Sequence, residues 1–359
     1  MSELTRRELA MAGLAAGLSA TAAAAKPLAP LTPGIKISMQ VGEEVTDDDL
    51  AWIRQMGIDY LNVQTGKGRA TLDNFQAIKA RAASAGLQVW NISNNDNRNI
   101  EEVTLNLPGR DAKIAWLKQY IRDTGKAGIG YITYAHMANG IWSSATEKTR
   151  GGGTARAFRL ETAKGTWNGK TYEGALTHGR KYSKEELWDN YTYFIREIAP
   201  VAEEAGVRIG IHPDDPPVPE LGGIPRHIFG TYDGYVKALE IANSPNIGVC
   251  LCCGTWMEGG KSMGKDVFEA ARGFAKMGKL WKIHFRNVTA PQPYFVETYI
   301  DGGYTDMYKL MRTLVDVDFR GNLIADHVPA MSGARQSGWA YSMGYIRALY
   351  QAALAEKKG

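Results

Sequence analysis

The chain has no two cysteines far enough apart to staple it. All three, Cys250, Cys252 and Cys253, fall within the segment GVCLCCGTW. Neighbours this close on an extended strand alternate between faces, and disulfide geometry is narrow. A disulfide framework is therefore excluded, while a buried-thiol role and a metal-ligand role both stay open for these residues. Also missing is any uninterrupted apolar run of roughly 18 to 20 residues, the length a membrane-spanning helix needs. Nor is there a basic run interleaved with aromatic platforms. The 42 lysines and arginines are spread along the chain against 38 acidic residues, so the mild net charge of +4 carries no nucleic-acid footprint, and no nucleic-acid partner is expected. What is present, 44% hydrophobic and 22% charged residues over 359 positions, is the composition of a globular protein with a real core.

The N-terminus reads as a targeting segment. TRRELAMAGLAAGLSATAAAAK begins with Thr5-Arg6-Arg7, continues uncharged from Leu9, and ends in Ala23-Ala24-Ala25 before Lys26. This is the pattern of a twin-arginine export signal with a small-residue cleavage site over residues 1–25. It predicts a periplasmic or extracellular protein with no membrane attachment after cleavage, and residues 26–359 as a single catalytic domain.

From Gly34 onward, short β-branched or aromatic runs alternate with longer amphipathic stretches. Eight strands are expected: IKISMQ from Ile35, IDYLNV from Ile58, LQVWNI from Leu87, GYITYAH from Gly130, VRIGIH from Val207, NIGVCLCC from Asn246, LWKIHFR from Leu280 and NLIADH from Asn322. Helix starts are marked by Thr46, by Thr71, and by Ser183 with Glu186 three positions on as a capping-box partner. Eight parallel strands joined by crossover helices close into a (β/α)8 TIM barrel of the α/β class. No Gly-rich phosphate fingerprint follows the first strand, which disfavours the open doubly wound sheet. Between the fourth strand and the next helix, residues 137–182 form a long Gly/Thr/Arg/Lys-rich connection. Its Phe158, Leu160, Trp167 and Tyr172 predict a small hairpin over the barrel mouth.

A barrel of this kind keeps its chemistry at the C-terminal ends of its strands. His136 ends strand four, His212 ends strand five, Cys252 ends strand six, His284 sits near the end of strand seven, and Asp326 and His327 end strand eight. Two imidazoles, a thiolate and a carboxylate from His212, Cys252, His284 and Asp326 suit a borderline transition metal such as manganese, iron(II), cobalt or zinc better than magnesium or calcium. Alternation puts Cys250 on the face of Cys252 but deeper, and Cys253 on another. The rigid segment HPDDPP places Asp214 and Asp215 directly after His212, where they orient it, accept substrate hydroxyls or bind basic groups. His136, and His178, Arg156 and Trp167 from the long connection, are further candidate substrate contacts.

HPDDPP at His212, L-C-x-G-T at Leu251, HFRN at His284, F-x-E followed by DGGYTDMY from Phe295 to Tyr308, and DH at Asp326 together resemble the mannonate dehydratase family, over the barrel from about Ile35 to Tyr350. The resemblance implies a metal-dependent hydro-lyase on a xylose-isomerase-like barrel, part of hexuronate degradation, converting D-mannonate to 2-keto-3-deoxy-D-gluconate with manganese or iron(II). It places the metal on His212, Cys252, His284 and Asp326, and the acid/base pair on His327 and Tyr341. Arg286 and Asn287 fall where the family handles the sugar acid, Arg286 as the cation that stabilises the enediolate. A homo-oligomer is expected. The chain departs from the family pattern in two ways: IADHVPA lacks the arginine and proline that precede the aspartate-histidine pair and the glycine that follows it, and typical members work in the cytoplasm. These departures keep open a related metalloenzyme that isomerises, epimerises or eliminates from another sugar or keto-sugar, and a non-catalytic sugar-binding barrel. Turnover of aldonates against neutral sugars separates the first two, and ligand binding without metal marks the third.

Overall fold

The structure is a computed structural model and describes residues 28–358; the export signal expected over residues 1–25 lies outside them. Eight parallel strands form the barrel: β1 Lys36–Gly42, β2 Tyr60–Thr65, β3 Gln88–Asn94, β4 Tyr131–Ala135, β5 Arg208–His212, β6 Ile247–Cys252, β7 Leu280–Phe285 and β8 Asn322–Ala325. Their spatial order is β3-β2-β1-β8-β7-β6-β5-β4. β3 and β4 stand side by side, joined at the mouth where the Asn99 amide donates to the Ala135 carbonyl at 2.8 Å. The chain thus runs once around a nearly closed ring. All eight expected strands are present.

The principal crossover helices are α1 Asp47–Gln55, α2 Leu72–Ser84, α3 Arg110–Lys126, α4 Lys184–Ala205, α5 Tyr232–Ala242, α6 Val267–Lys276, α7 Met307–Asp316 and α8 Ser337–Lys358. Thr46 and Thr71 cap α1 and α2 as their sequence positions indicate. Ser183 and Glu186 close a reciprocal capping box on α4, satisfying donors that a helix start leaves orphaned. Apolar residues such as Phe194, Ile198, Phe274 and Leu310 fill the layer between helices and strands. The barrel interior is more polar. Asn62 donates to Asn322 at 3.0 Å, Ser38 accepts from Asn322, and the Lys282 ammonium reaches Thr133 at 3.2 Å. Burial pushes the Lys282 pKa down to about 8.

The 137–182 connection is more than a hairpin. Lys164–Trp167 and Lys170–Tyr172 do form one, turned through Asn168 (φ 48) and Gly169 (φ 78), the two left-handed residues a tight hairpin prefers. Ile141–Ser143 adds a third strand. Ala157–Arg159, however, pairs with Tyr294–Val296 of the excursion after β7, and Phe158 stacks on Phe295 at 5.4 Å. Two excursions distant in sequence are stitched into one roof. Local alternation pointed to Phe158 as a hairpin residue because pairing to a segment over 130 positions away leaves no local mark.

Candidate metal centre and its charged surround

Each candidate ligand is delivered by a strand end. In the β6/β7 ladder Cys252 is the register partner of His284, and His212 is the last residue of β5. One ligand atom from each of His212, Cys252 and His284 lies within 4.8 Å of the others. The His212 ring touches that of His284, with centroids 4.9 Å apart.

These residues fit a divalent transition metal on their own chemistry. His212 Nδ1–H donates to the Pro213 carbonyl at 2.7 Å, which fixes the tautomer and leaves the lone pair of Nε2 free for a metal. Burial, with His284 adding to it, lowers the His212 pKa to about 4, so the imidazole is neutral as a ligand must be. Both ring nitrogens of His284 are buried without a hydrogen-bond partner; a metal bond would satisfy one of them, and Asp326, close to Nδ1, raises the pKa of the ring against its burial. Cys252 Sγ is approached by the Thr255 amide at 3.5 Å and the Thr255 hydroxyl at 3.2 Å. Asp326 stands beside two of the three, with Oδ2 3.8 Å from Cys252 Sγ and 3.5 Å from His284 Nδ1. It is the fourth expected ligand, displaced toward Arg286, whose Nε donates to the same oxygen at 3.1 Å.

Around the trio lies a buried lattice of carboxylates and guanidiniums. Arg286 donates from Nη1 to Glu258 at 2.7 Å and from Nη2 to Thr255 at 3.0 Å, and its Nη1 lies 3.2 Å from Glu297. Arg156, carried in by the roof, donates from Nε to Glu297 at 2.7 Å, and from Nη2 to Asp215 at 2.9 Å and Glu258 at 3.1 Å. Burial alone would raise these carboxyls, but Arg156, His327 and Arg286 hold Glu297 down at about 2. Asp215 is likewise held low by Arg156 and Arg286 against its burial. Glu258 goes the other way: burial and its carboxylate neighbours outweigh the two arginines and push it up. Such a lattice holds geometry rather than adding stability, because desolvation of the charges offsets their attraction.

His327 is tied by Nδ1 to Glu297 Oε1 at 2.7 Å. Its burial is outweighed by Asp326 and Glu297, which raise its pKa to about 9. Its backbone sits at φ 46, a strained conformation for a non-glycine residue, of a kind that clusters at functional sites. Tyr341, on α8 at the rim, accepts a hydrogen bond from Arg150 at 3.3 Å, and Arg150 is itself paired with Asp301. Gly254 of the C-x-G-T segment is required by packing: a Cβ there would stand 2.3 Å from the Arg286 side chain.

Several expected contacts have other duties. Arg286 is committed to protein carboxylates, so it is not a free cation for substrate. Asn287 donates to the Ile300 and Thr305 carbonyls at 3.3 and 2.9 Å and accepts from the Val288 amide at 3.0 Å, which pins the loop 300–305 and uses up its amide. His136 is packed among Phe194, Tyr191 and Phe229 with Tyr134 on Nδ1 at 2.8 Å. His178 pairs with Glu101 at 3.0 Å and stacks on Tyr172, at the root of the roof. Of the two aspartates, Asp215 binds the arginines. Asp214 is buried near Arg226, its pKa raised to about 6 by that burial. Sequence reasoning passed over Glu258 and gave Glu297 no role. Glu258 lies one helical stretch beyond Cys252 and Glu297 within F-x-E, positions that only the fold brings together.

Fold and site together define a xylose-isomerase-like (β/α)8 barrel carrying a candidate His/His/Cys metal centre at its C-terminal mouth. The family model for D-mannonate dehydratase (UxuA) matches residues 168–357. Mannonate dehydratase of Streptococcus suis is 31% identical over 298 residues, covering 77% of this chain and 79% of the relative. Mannonate dehydratase 2 of Halalkalibacterium halodurans is 30% identical over 247 residues, covering 63% and 70%. The crystal structure of the mannonate dehydratase from Streptococcus suis serotype 2 superposes with a TM-score of 0.79 at 28% identity, covering 91% of this chain and 95% of that one. An L-ribulose 3-epimerase, at 13% identity and a TM-score of 0.58, shares the fold. The chain belongs to the mannonate dehydratase family.

Proposed function

We propose that the protein dehydrates D-mannonate to 2-keto-3-deoxy-D-gluconate. The observation that carries this reading is the convergence of His212, Cys252 and His284 at the barrel mouth in a member of this family. Removing the C2 proton and expelling the C3 hydroxyl as water leaves an enol that rearranges to the 2-keto acid. When bound, manganese or iron(II) polarises substrate oxygens and stabilises the charge that develops next to the carboxylate. Asp326 completes the ligand set, oriented by Arg286. His327 and Tyr341 divide the two proton transfers. Glu297 holds the His327 ring by Nδ1 and so presents Nε2 to substrate; Arg150 fixes the Tyr341 hydroxyl. Arg156 and Arg286 keep the surrounding carboxylates in place, and the roof shields the mouth from water.

The test is turnover of D-mannonate by metal-stripped protein with manganese restored, following the keto-deoxy acid. Product that depends on metal and disappears in Cys252→Ser is expected. Tight manganese binding without product would overturn the substrate and direct the search to isomerising or epimerising chemistry on other sugars.

We also propose that residues 1–25 send the protein through the twin-arginine route. Export in the folded state lets the metal be loaded and the thiol covered before it meets an oxidising compartment. Finding the protein only in the cytosolic fraction with residues 1–25 intact would overturn this.

A further inference from the structure

We propose that Arg98 is the specificity-determining cation that takes the carboxylate of the sugar acid, an inference that rests on the reading of the site as a sugar-acid dehydratase. Arg286 and Arg156 are both engaged by protein carboxylates. Arg98, on the connection after β3, differs. Its Nη2 donates to two neutral amide oxygens, Gln64 Oε1 at 3.1 Å and Asn95 Oδ1 at 3.3 Å. No acidic side chain among the described residues pairs with it. Nε is buried without a partner, and Nη1 makes no hydrogen bond to the protein among the described residues.

The guanidinium is nevertheless withdrawn from water. It lies under the Trp167 indole of the roof, 5.3 Å from the ring, and Trp167 is fixed by its own bond to the Asn95 carbonyl at 3.2 Å. Arg98 follows the C-terminal end of β3, the same end of the barrel at which β5, β6 and β7 deliver His212, Cys252 and His284, and burial lowers its pKa. A half-buried arginine with unused donors and no counter-ion is a preformed seat for a carboxylate, because charge-assisted bonds to a planar fork are strong and directional. Its two amide partners also line an open cleft of about 610 Å³ together with Thr65, Asn94, Lys67 and the carboxylates of Glu43, Glu44 and Asp96; the amides and hydroxyl match the hydroxyls of an acyclic sugar chain, and the acidic walls leave its carboxylate to the cation at the edge. The roof therefore assembles two things at once, Arg156 in the lattice and Trp167 over the acid-binding cation.

The experiment compares binding of D-mannonate, D-gluconate and the uncharged polyol D-mannitol to the metal-loaded full chain by calorimetry, in a His327→Asn background that blocks turnover. A preference for the acids of at least about tenfold is expected, erased in Arg98→Gln and reduced about threefold or more in Arg98→Lys, whose ammonium cannot reproduce the fork. Metal content and melting temperature confirm that each variant is folded; if Arg98→Gln is not, Arg98→Lys decides. Undiminished acid preference in a folded Arg98 variant overturns the proposal. Because binding is read for two aldonates, failure of the wild type to dehydrate D-mannonate would overturn the assigned reaction and leave the role of Arg98 separately decided.

Discussion

Glu297 and His327, thirty positions apart, share a 2.7 Å hydrogen bond between Oε1 and Nδ1, and the same Glu297 oxygen also accepts from Arg156 at 2.7 Å. One carboxylate thus couples the roof to the residue assigned a proton transfer. Glu297→Gln keeps the shape but removes the charge that orients the imidazole. Its kcat for D-mannonate is expected to fall about 100-fold with KM changed little, in the range typical for loss of acid–base catalysis. Steady-state kinetics check this, and a KM effect with unchanged kcat would assign Glu297 to substrate binding instead.

Removing a ligand should remove the metal. His212→Ala and Cys252→Ser are each expected to lose stoichiometric manganese after dialysis, measured by elemental analysis. Asp326→Asn, which replaces the fourth ligand by a neutral amide, should likewise cost stoichiometric manganese under the same dialysis.

Gly254→Ala tests the close approach of Arg286. With a Cβ 2.3 Å from the Arg286 side chain, the guanidinium or the helix start must shift. An overpacking cost of about 1–3 kcal/mol is expected, read as a lowered urea midpoint, with a fall in kcat as Asp326 and Glu258 lose their common partner.

Acid stability should be set in part by histidines kept neutral. His136 titrates near 3 and His227 near 4 in the fold, each lowered first by burial, against about 6.5 unfolded. The unfolded chain therefore binds protons that the folded chain refuses, and stability is full above about pH 6.5 and lost as pH falls toward 4 and 3. Urea unfolding at pH 7 and pH 4.5 should show this loss, and His136→Phe should flatten the slope. Asp214, raised to about 6 by burial, works in the opposite direction between about pH 6 and 4 and reduces the net effect.

Much of the barrel, and the convergence of His212, Cys252 and His284 at its mouth, could be read from the chain because both are local. Strand ends fall where β-branched runs meet Gly, Pro or a helix cap, and alternation alone turns Cys252 and His284 inward. The pairing of charges was not legible. Nothing near Arg286 in HFRN shows that Glu258, Glu297 and Asp326 will surround it, and Asn287, adjacent to it, looks like a ligand contact until the 300–305 loop closes on its amide. His136 shows the same limit: a strand-end histidine looks alike whether it faces a ligand or, as here, packs against Tyr191 and Phe194 of α4 and against Phe229. Arg98 in NNDNRN carries no motif, and its solitude among the mouth arginines is a property of three dimensions.

The ladder between Ala157–Arg159 and Tyr294–Val296 has a mechanical meaning. A loop hinged only at its own ends could swing clear of the mouth, but this one is tied at its middle, through Ala157–Arg159, to a segment that bears Glu297. Any opening on that side must carry Glu297, and with it the grip on His327, away from the His212, Cys252 and His284 cluster. The cleft over β1 to β3 is open, and there the hairpin is held near its tip, by Trp167 and Asn168 at Asn95 and Asp96. The barrel mouth is in effect a doorway with one jamb fixed.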